Sequence, residues 1–173
     1  KAHEFTTVDI DPKTNPTICA DVLKWNYKTF PKRYFDVVWA SPPCTEYSVA
    51  KSIGVRDLKK ADKIVKKCLQ IIEYFEPKKW FVENPGGPGL LNKRPFMQKF
   101  NHLINECCYC MYGHPYRKRT NIWSNVKLNL KTCTHSNPCD MVKQFGKHPI
   151  HIDGRISVKT RNTVPVRLLK KLI

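Results

Sequence analysis

The residues best suited to chemistry in this chain are a cysteine and a glutamate, each at the end of a strand-like run. Cys44 follows two prolines, directly after the apolar run at residues 34–40. Glu83 follows the apolar run at residues 79–82 and precedes Asn84. Prolines stop a strand and stiffen the turn after it, so both groups are expected at the carboxyl edge of a sheet, where open α/β folds bind ligands. A thiol and a carboxylate there predict a cysteine-dependent transferase that acts on a ring.

One long helix separates these two runs and defines how they are arranged. Apolar residues recur at three- and four-residue steps between Asp57 and Phe75, with Asp57 as the expected N-cap and Pro77 after the end. A strand, a helix and a second strand of these lengths form a βαβ unit with parallel strands. A shorter helix is expected at residues 95–106. The sequence therefore predicts an α/β fold with the thiol and the carboxylate on one sheet edge.

The balance of charge predicts a polyanionic partner. The chain has 173 residues, with 31 basic and 14 acidic side chains and a formal net charge of +17. Such an excess raises the local concentration of nucleic acids, although a solvated basic surface explains the count as well. The compact cluster Arg117-Lys118-Arg119 lies beside aromatic residues and favours nucleic acid. The length fits one domain with its own core.

The cysteines indicate a reducing environment rather than a secreted disulfide framework. Eight cysteines occur, and Cys19, Cys44 and Cys68 stand singly within strand-like or helical patterns, as buried thiols do. We therefore expect an intracellular, reducing compartment. No apolar run is long enough to cross a bilayer, so no membrane partner is expected.

A zinc site is one interpretation of the irregular segment that follows residue 124. Its candidate ligands are Cys133, His135, Cys139 and His148, with Cys110 and His151 as further candidates. The spacing C-x-H-x3-C-x8-H matches no standard zinc pattern. A metal ion can replace the apolar core of a short segment that has few large apolar side chains. Unpaired cysteine and histidine are, however, common in irregular segments. From the spacing we expect no metal.

Four segments together resemble motifs of the cytosine-C5 DNA methyltransferases, in the family's order and rough spacing. They are Ser41-Pro42-Pro43-Cys44-Thr45-Glu46-Tyr47-Ser48, Glu83-Asn84-Pro85, Arg117-Lys118-Arg119 and Arg161-Asn162-Thr163-Val164-Pro165. These segments are similar to the family's nucleophile, Glu-Asn, twin-arginine and closing motifs, and the compact form resembles phage and large-virus versions. The chain departs from the pattern in three ways. The opening Phe-x-Gly-x-Gly loop is not present, Pro115 stands where the family has glutamine, and Arg161 stands where it has glycine.

The resemblance implies a mechanism and a role for each matching residue. The thiolate of Cys44 adds to C6 of a flipped cytosine and Glu83 contacts its N3, so that C5 accepts a methyl group from S-adenosylmethionine. The catalytic residues implied are Cys44, Glu83, Arg117 and Arg119, with the arginines lowering the pKa of the thiol. The cofactor-binding residues implied are Asp9, Ile10, Asp21, Val22, Pro42, Asn162 and Val164. The substrate-binding residues implied are Ser48, Asn84 and Lys118.

The resemblance also implies a domain plan. Residues 1–124 form a Rossmann-like, S-adenosylmethionine-dependent methyltransferase core, an α/β three-layer sandwich whose opening strand and glycine loop are expected to be truncated. Residues 125–160 form a minimal target-recognition lobe, and residues 161–173 return to the core as a helix. The expected partner is DNA, bound by a monomer, in the host cytoplasm or nucleus for a viral protein. A tRNA cytosine-C5 methyltransferase and a non-catalytic, basic nucleic-acid-binding remnant of the fold stay open as alternatives.

Overall fold

Two sheets form the framework of the protein. The computed structural model describes residues 4–49, 51, 53–151 and 156–173, and of residues 158 and 159 it describes the backbone only. Strands β1 (Val8–Asp9) and β2 (Ile18–Cys19) pair in parallel. The second sheet has four strands in the order β3 (Val37–Ala40), β4 (Lys79–Pro85), β6 (Arg119–Ser124) and β5 (Ile104–Cys108). Its first pair is parallel and the other two pairs are antiparallel.

Helices and short 3-10 turns connect the strands. The α-helices are α1 (Leu58–Phe75), α2 (Pro95–Gln98), α3 (Asp140–Phe145), α4 (Val158–Asn162) and α5 (Val166–Leu172). The 3-10 turns lie at Pro12–Thr14, Tyr27–Thr29, Leu91–Lys93, Asn101–Leu103 and Tyr109–Tyr112. Within the described part of the chain, no helix combines the length and the apolar character needed to cross a membrane. Strands and helices together make the α/β fold that the sequence predicts.

The predicted βαβ unit is confirmed. β3 and β4 pair in parallel, with Ala40 opposite Val82, and α1 lies between them in the chain. The side chain of Asp57 caps α1 by accepting a hydrogen bond from the backbone N–H of Lys60 at 2.9 Å. The helix ends where Glu76 adopts a left-handed conformation with φ of 45°. Parallel pairing brings the carboxyl ends of β3 and β4 to the same edge of the sheet.

Neighbouring residues of β4 face opposite sides of the sheet and pack against different helices. Val82 belongs to a buried cluster with Val65 and Ile72 of α1. Phe81 belongs to a second buried cluster with Leu168 of α5. Full burial of each such side chain contributes about 1.5–3 kcal/mol. The alternation of a strand therefore fixes one helix on each face of the sheet.

The predicted helix at residues 95–106 is wrong in its second half. α2 ends at Gln98, and Ile104 begins strand β5. β5 pairs antiparallel with β6, where Glu106 lies opposite Asn121. Hydrogen bonding to the neighbouring strand outweighs the helical spacing of the apolar residues here, because strand formation depends strongly on tertiary context.

The chain after β6 is mostly irregular. Among residues 125–151, α3 is the one regular element of the described structure. The lobe expected at residues 125–160 also includes residues 152–155, which lie outside the described residues. Leu168 and Leu172 of α5 pack into the cluster that contains Phe81, so the end of the chain lies against the sheet.

Candidate active site

A tight turn holds Cys44 just beyond the end of β3. The carbonyl oxygen of Cys44 accepts hydrogen bonds from the backbone N–H groups of Tyr47 and Ser48, at 3.0 and 2.8 Å. Tyr47 is buried, and its hydroxyl donates to Oδ1 of Asp62 on α1 at 2.9 Å. The guanidinium of Arg94 binds the same carboxylate with contacts between 2.7 and 3.1 Å. Helix α1 therefore anchors the turn that presents the thiol.

Glu83 and Asn84 lie at the matching end of β4. Both side chains are buried, and Glu83 is 6% exposed. The side-chain amide of Asn84 donates to the carbonyl oxygen of Pro42 at 3.2 Å, which ties the loop after β3 to the end of β4. Oδ1 of Asn84 is buried and has no hydrogen-bond partner among the described residues. Because an unsatisfied buried acceptor is costly, this atom is a candidate contact for a ligand.

A tyrosine and a lysine hold the carboxylate of Glu83. The hydroxyl of Tyr109 donates to Oε1 at 2.9 Å, and Nζ of Lys118 lies 3.3 Å from the same oxygen. The Lys118 ammonium also lies 4.7 Å from the centroid of the Tyr109 ring and donates to the carbonyl oxygen of Arg161 at 3.1 Å. Both bonds to Glu83 use Oε1, which leaves Oε2 for another partner.

The same charges act on the Cys44 thiol. Burial raises the pKa of Cys44 above its ordinary value and is the largest effect. The Lys118 ammonium lowers this pKa, the Glu83 carboxylate raises it, and the charge of Arg161 lowers it to a smaller extent. A nucleophile, a carboxylate and two cations therefore interact in one place. This combination can attack a planar base and hold it by hydrogen bonds.

Comparison with known proteins identifies the family of this chain. The family model for C-5 cytosine-specific DNA methylases matches residues 11–116, more than half of the chain. This chain belongs to that methylase family. The match confirms the family that the sequence motifs indicate, and it covers the first two of the four motifs, at residues 41–48 and 83–85.

A viral methylase is similar to this chain. The probable DNA (cytosine-5)-methyltransferase of Frog virus 3 (isolate Goorha) is 34% identical to this chain over an alignment of 134 residues. The matched part makes up 69% of this chain and 60% of the viral protein. The chain thus spans 60% of the length of the curated relative that it matches.

The twin arginines of the methylase motif do not reach the buried carboxylate in this structure. Arg117 donates to the carbonyl oxygen of Cys133 at 3.0 Å, and Arg119 binds Glu106 through contacts of 2.6 and 2.9 Å. Side chains alternate along an extended segment, so Lys118 faces the carboxylate while its two neighbours face away. Lys118, and neither arginine, therefore contacts the Glu83 carboxylate in this structure, and the catalytic roles of Arg117 and Arg119 stay a prediction.

The acids predicted to bind the methylase cofactor lie at the carboxyl end of the β1–β2 pair. Asp9 ends β1 and Asp21 follows β2, and Oδ1 of each accepts a hydrogen bond of 2.9 Å from the backbone N–H two residues later. The Ile10 side chain beside Asp9 is 68% exposed, whereas Val22 packs against a buried aromatic cluster. Parallel pairing thus brings the two carboxylates to one edge, where each also stabilises a turn.

The remaining predicted residues fall in three places. Pro42 is buried, and its carbonyl oxygen accepts the amide hydrogen bond that joins the two strand ends. Ser48 is part of the turn that holds the thiol. Asn162 is exposed at the end of α4, and Val164 packs against the buried cluster beneath α5.

Two residues of the site have no sequence motif that predicts them. Tyr109 follows β5 and is placed by the hydrogen bond from its backbone N–H to the carbonyl oxygen of Lys118, at 3.0 Å. A buried tyrosine hydroxyl normally finds a polar partner, and this rule is the one signal that could have pointed to Glu83. Arg161 departs from the family motif, yet it lies close enough to influence the pKa of Cys44.

Proposed function

We propose that the protein transfers a methyl group from S-adenosylmethionine to C5 of a flipped cytosine in DNA, through a covalent adduct at Cys44. One observation carries the proposal. The Cys44 thiol, the buried Glu83 carboxylate and the Lys118 ammonium lie at the same edge of the sheet and interact electrostatically. Membership of the C-5 cytosine-specific DNA methylase family supports the same reaction, and so does the name of the Frog virus 3 relative.

The residues of the chain account for the activation of the base. The sulfur of Cys44 donates an electron pair to C6, a C6–S bond forms, and the electrons of the C5–C6 double bond make C5 nucleophilic. Oε2 of Glu83, the oxygen that Lys118 does not use, accepts a hydrogen bond from the exocyclic amine, and a proton shared between the Glu83 carboxyl group and N3 balances the negative charge that the addition places on the ring. S-adenosylmethionine, when bound, would supply the electrophilic methyl group, whose bond to the sulfonium sulfur breaks as the bond to C5 forms. The C5 proton then passes to water, the C5–H electrons restore the C5–C6 double bond, and the C6–S electron pair returns to sulfur and regenerates Cys44.

The β1–β2 edge fits a nucleoside cofactor. Asp9 and Asp21 each use Oδ1 for a backbone N–H, which leaves the second carboxylate oxygen for a ribose hydroxyl or an adenine amino group. The exposed side chain of Ile10 offers an apolar surface to the adenine ring. The other proposed cofactor contacts are Val22, Pro42, Asn162 and Val164.

The net charge of +17 is proposed to attract DNA through its negatively charged phosphates. Ser48, Asn84 and Lys118 are proposed to contact the flipped nucleotide. Residues 125–160 act as the target-recognition lobe on a core of residues 1–124, and residues 161–173 return to that core. The protein works as a monomer in a reducing, intracellular compartment, which suits the free thiols of its eight cysteines.

The proposed finer fold is the Rossmann-like, three-layer sandwich of S-adenosylmethionine-dependent methyltransferases. Helices on both faces of the four-stranded sheet support it, with α1 on one face and α5 on the other. β3 has one strand neighbour among the described residues, and all its residues are only half-buried despite their apolar character. A further parallel strand beside β3 would cover this edge and join the two sheets.

A covalent trapping experiment tests the function. Protein expressed from the complete gene is incubated with S-adenosylmethionine and a DNA duplex that contains 5-fluorocytosine, whose fluorine cannot leave as the proton does. We expect peptide mass spectrometry to find the adduct at Cys44, and Cys44→Ala to abolish both the adduct and the transfer of labelled methyl groups. Cys19→Ala removes an exposed thiol of β2 and is the matched control. Adducts with tRNA alone would favour the tRNA enzyme, and undiminished transfer by Cys44→Ala would refute the mechanism.

A further inference from the structure

Four metal-binding side chains converge outside the group formed by Cys44 and its partners. The ligand atoms of Cys110, Cys133, Cys139 and His148 all lie within 4.8 Å of one another. The three cysteines are buried and the histidine is half-buried. Nε2 of His148 lies 3.7 Å from Sγ of Cys133 and 3.4 Å from Sγ of Cys139.

The two distances from Nε2 of His148 are close to the edges of a tetrahedron centred on zinc, and the remaining ligand atoms lie near enough to complete it. With Zn–S bonds of about 2.3 Å and Zn–N bonds of about 2.0–2.1 Å, the ligand atoms of a tetrahedral site lie roughly 3.5–3.8 Å apart. We propose that Cys110, Cys133, Cys139 and His148 bind one structural zinc ion. Three thiolates and an imidazole favour zinc over magnesium or calcium, which prefer oxygen ligands. Four protein ligands leave no open position, as in structural rather than catalytic zinc sites.

The surroundings of the cluster suit a bound metal. The backbone N–H of Cys139 donates to Sγ of Cys133 at 3.4 Å, and hydrogen bonds to ligand atoms orient and stabilise them in metal sites. Three thiolates carry three negative charges, and a divalent ion neutralises only two of them. Arg117 donates to the carbonyl oxygen of Cys133 at 3.0 Å and places a cation beside this excess. Gly146, with φ of 69°, ends α3 and turns the chain toward His148.

A zinc ion would also supply what the lobe lacks in apolar packing. The apolar side chains packed against the thiol cluster are Met111, Met141 and Val142. Cys108 packs there as well, but its sulfur is not one of the four convergent atoms. In small modules with so little core, the free energy of metal binding contributes directly to folding. Because Cys110 follows β5 while the other three ligands lie at residues 133–148, the ion would fasten the lobe to the core.

This site is contrary to the expectation from the sequence that the segment holds no metal. The local pattern included His135, which is exposed and is not part of the cluster. Its place is taken by Cys110, which belongs to a different part of the chain. The resulting spacing, C-x22-C-x5-C-x8-H, has its first ligand outside any local motif.

The metal content of the chain, purified in reducing buffer without a metal-binding tag, tests the site. We expect elemental analysis to find one zinc per chain, and cobalt replacement to give the visible bands of tetrahedral Co²⁺ together with thiolate-to-cobalt charge transfer. His148→Asn and Cys139→Ser are expected to lose most of the metal. The matched controls are His135→Asn, in the same segment, and Cys68→Ser, a buried thiol of α1, and both are expected to keep one zinc.

Several results would overturn the zinc site. They are a wild-type chain with far less than one metal ion, a disulfide between Cys133 and Cys139 in reducing buffer, and equal metal content in His148→Asn and His135→Asn. If Cys139→Ser does not fold, the cobalt spectrum of the wild-type chain decides, because absent thiolate charge-transfer bands refute the ligand set. None of these measurements depends on methyl transfer.

Discussion

Lys118→Met is expected to destabilise the protein and to change the chemistry of the thiol. Nζ of Lys118 lies 3.3 Å from Oε1 of Glu83, and the two side chains are 10% and 8% exposed. At an effective dielectric constant of about 20, unit charges at this distance attract by about 5 kcal/mol. Part of this attraction offsets the desolvation of the ammonium, and Tyr109 still binds the carboxylate in the variant. We therefore expect the free energy of unfolding to fall by about 3 kcal/mol.

The titration of the thiol reports the same change independently. Burial raises the pKa of Cys44 and the Lys118 ammonium lowers it, so removal of the ammonium is expected to raise this pKa further. Alkylation by iodoacetamide requires the thiolate. The pH midpoint for alkylation of Cys44, followed by peptide mass spectrometry, is expected to move to higher pH in Lys118→Met. Urea unfolding of the same samples measures the loss of stability.

Two further variants make this result interpretable. Arg119→Met removes a neighbouring cation whose ion pair with Glu106 is 44% and 30% exposed, so we expect a loss of at most about 1 kcal/mol and an unchanged Cys44 midpoint. Glu83→Gln added to Lys118→Met is expected to restore part of the stability, because no charge is then left buried alone. A Cys44 midpoint that shifts in Arg119→Met but not in Lys118→Met would refute the proposal that Lys118 lowers the pKa of the thiol. It would indicate that Arg119 does so instead.

Two substitutions test the scaffold around the thiol. Asp62→Asn weakens the contacts of Asp62 with Tyr47 and Arg94, which anchor the Cys44 turn, and is expected to lower the free energy of unfolding by about 2 kcal/mol. The control is Asp140→Asn, at an exposed position, which is expected to leave the free energy of unfolding unchanged. Gly86→Ala places a Cβ 2.7 Å from Oδ1 of Asn121 and is expected to cost about 1–3 kcal/mol in the same urea assay. Wild-type stability in either Asp62→Asn or Gly86→Ala would contradict the packing described for that position.

The strand ends and the long helix could be predicted because strong local signals define them. The prolines before Cys44 end an apolar run, and β3 does end at Ala40. The periodic apolar face between Asp57 and Phe75 is a helix with the predicted N-cap. A helix between two strands of one sheet forms a crossover connection, so the two strands must run parallel. Parallel strands end at the same edge, and Glu83 therefore lies at the edge that carries the Cys44 thiol.

The cation beside Glu83 could not be predicted from the sequence in the same way. In Arg117-Lys118-Arg119 either the lysine or both arginines can face the carboxylate, and a shift of one residue exchanges them. The choice depends on Glu83 lying opposite Ile122 and on the bond between the Tyr109 N–H and the Lys118 carbonyl. The first of these contacts joins residues far apart in the chain, as the convergence of Cys110 with residues 133–148 also does, and the second crosses the connection between β5 and β6.

Under the proposed function, Glu83 and Lys118 give Cys44 a resting state and an activated state. In the free protein, burial and the Glu83 carboxylate outweigh Lys118 and hold the pKa of Cys44 above its ordinary value, so the thiol rests protonated near neutral pH. When Glu83 bonds to the cytosine ring, its negative charge is shared with the base and opposes the thiolate less, while Lys118 stays in place. Entry of the base therefore lowers the free energy of forming the thiolate when C6 comes within reach. Until then the protonated thiol is poorly reactive, which protects it from oxidation.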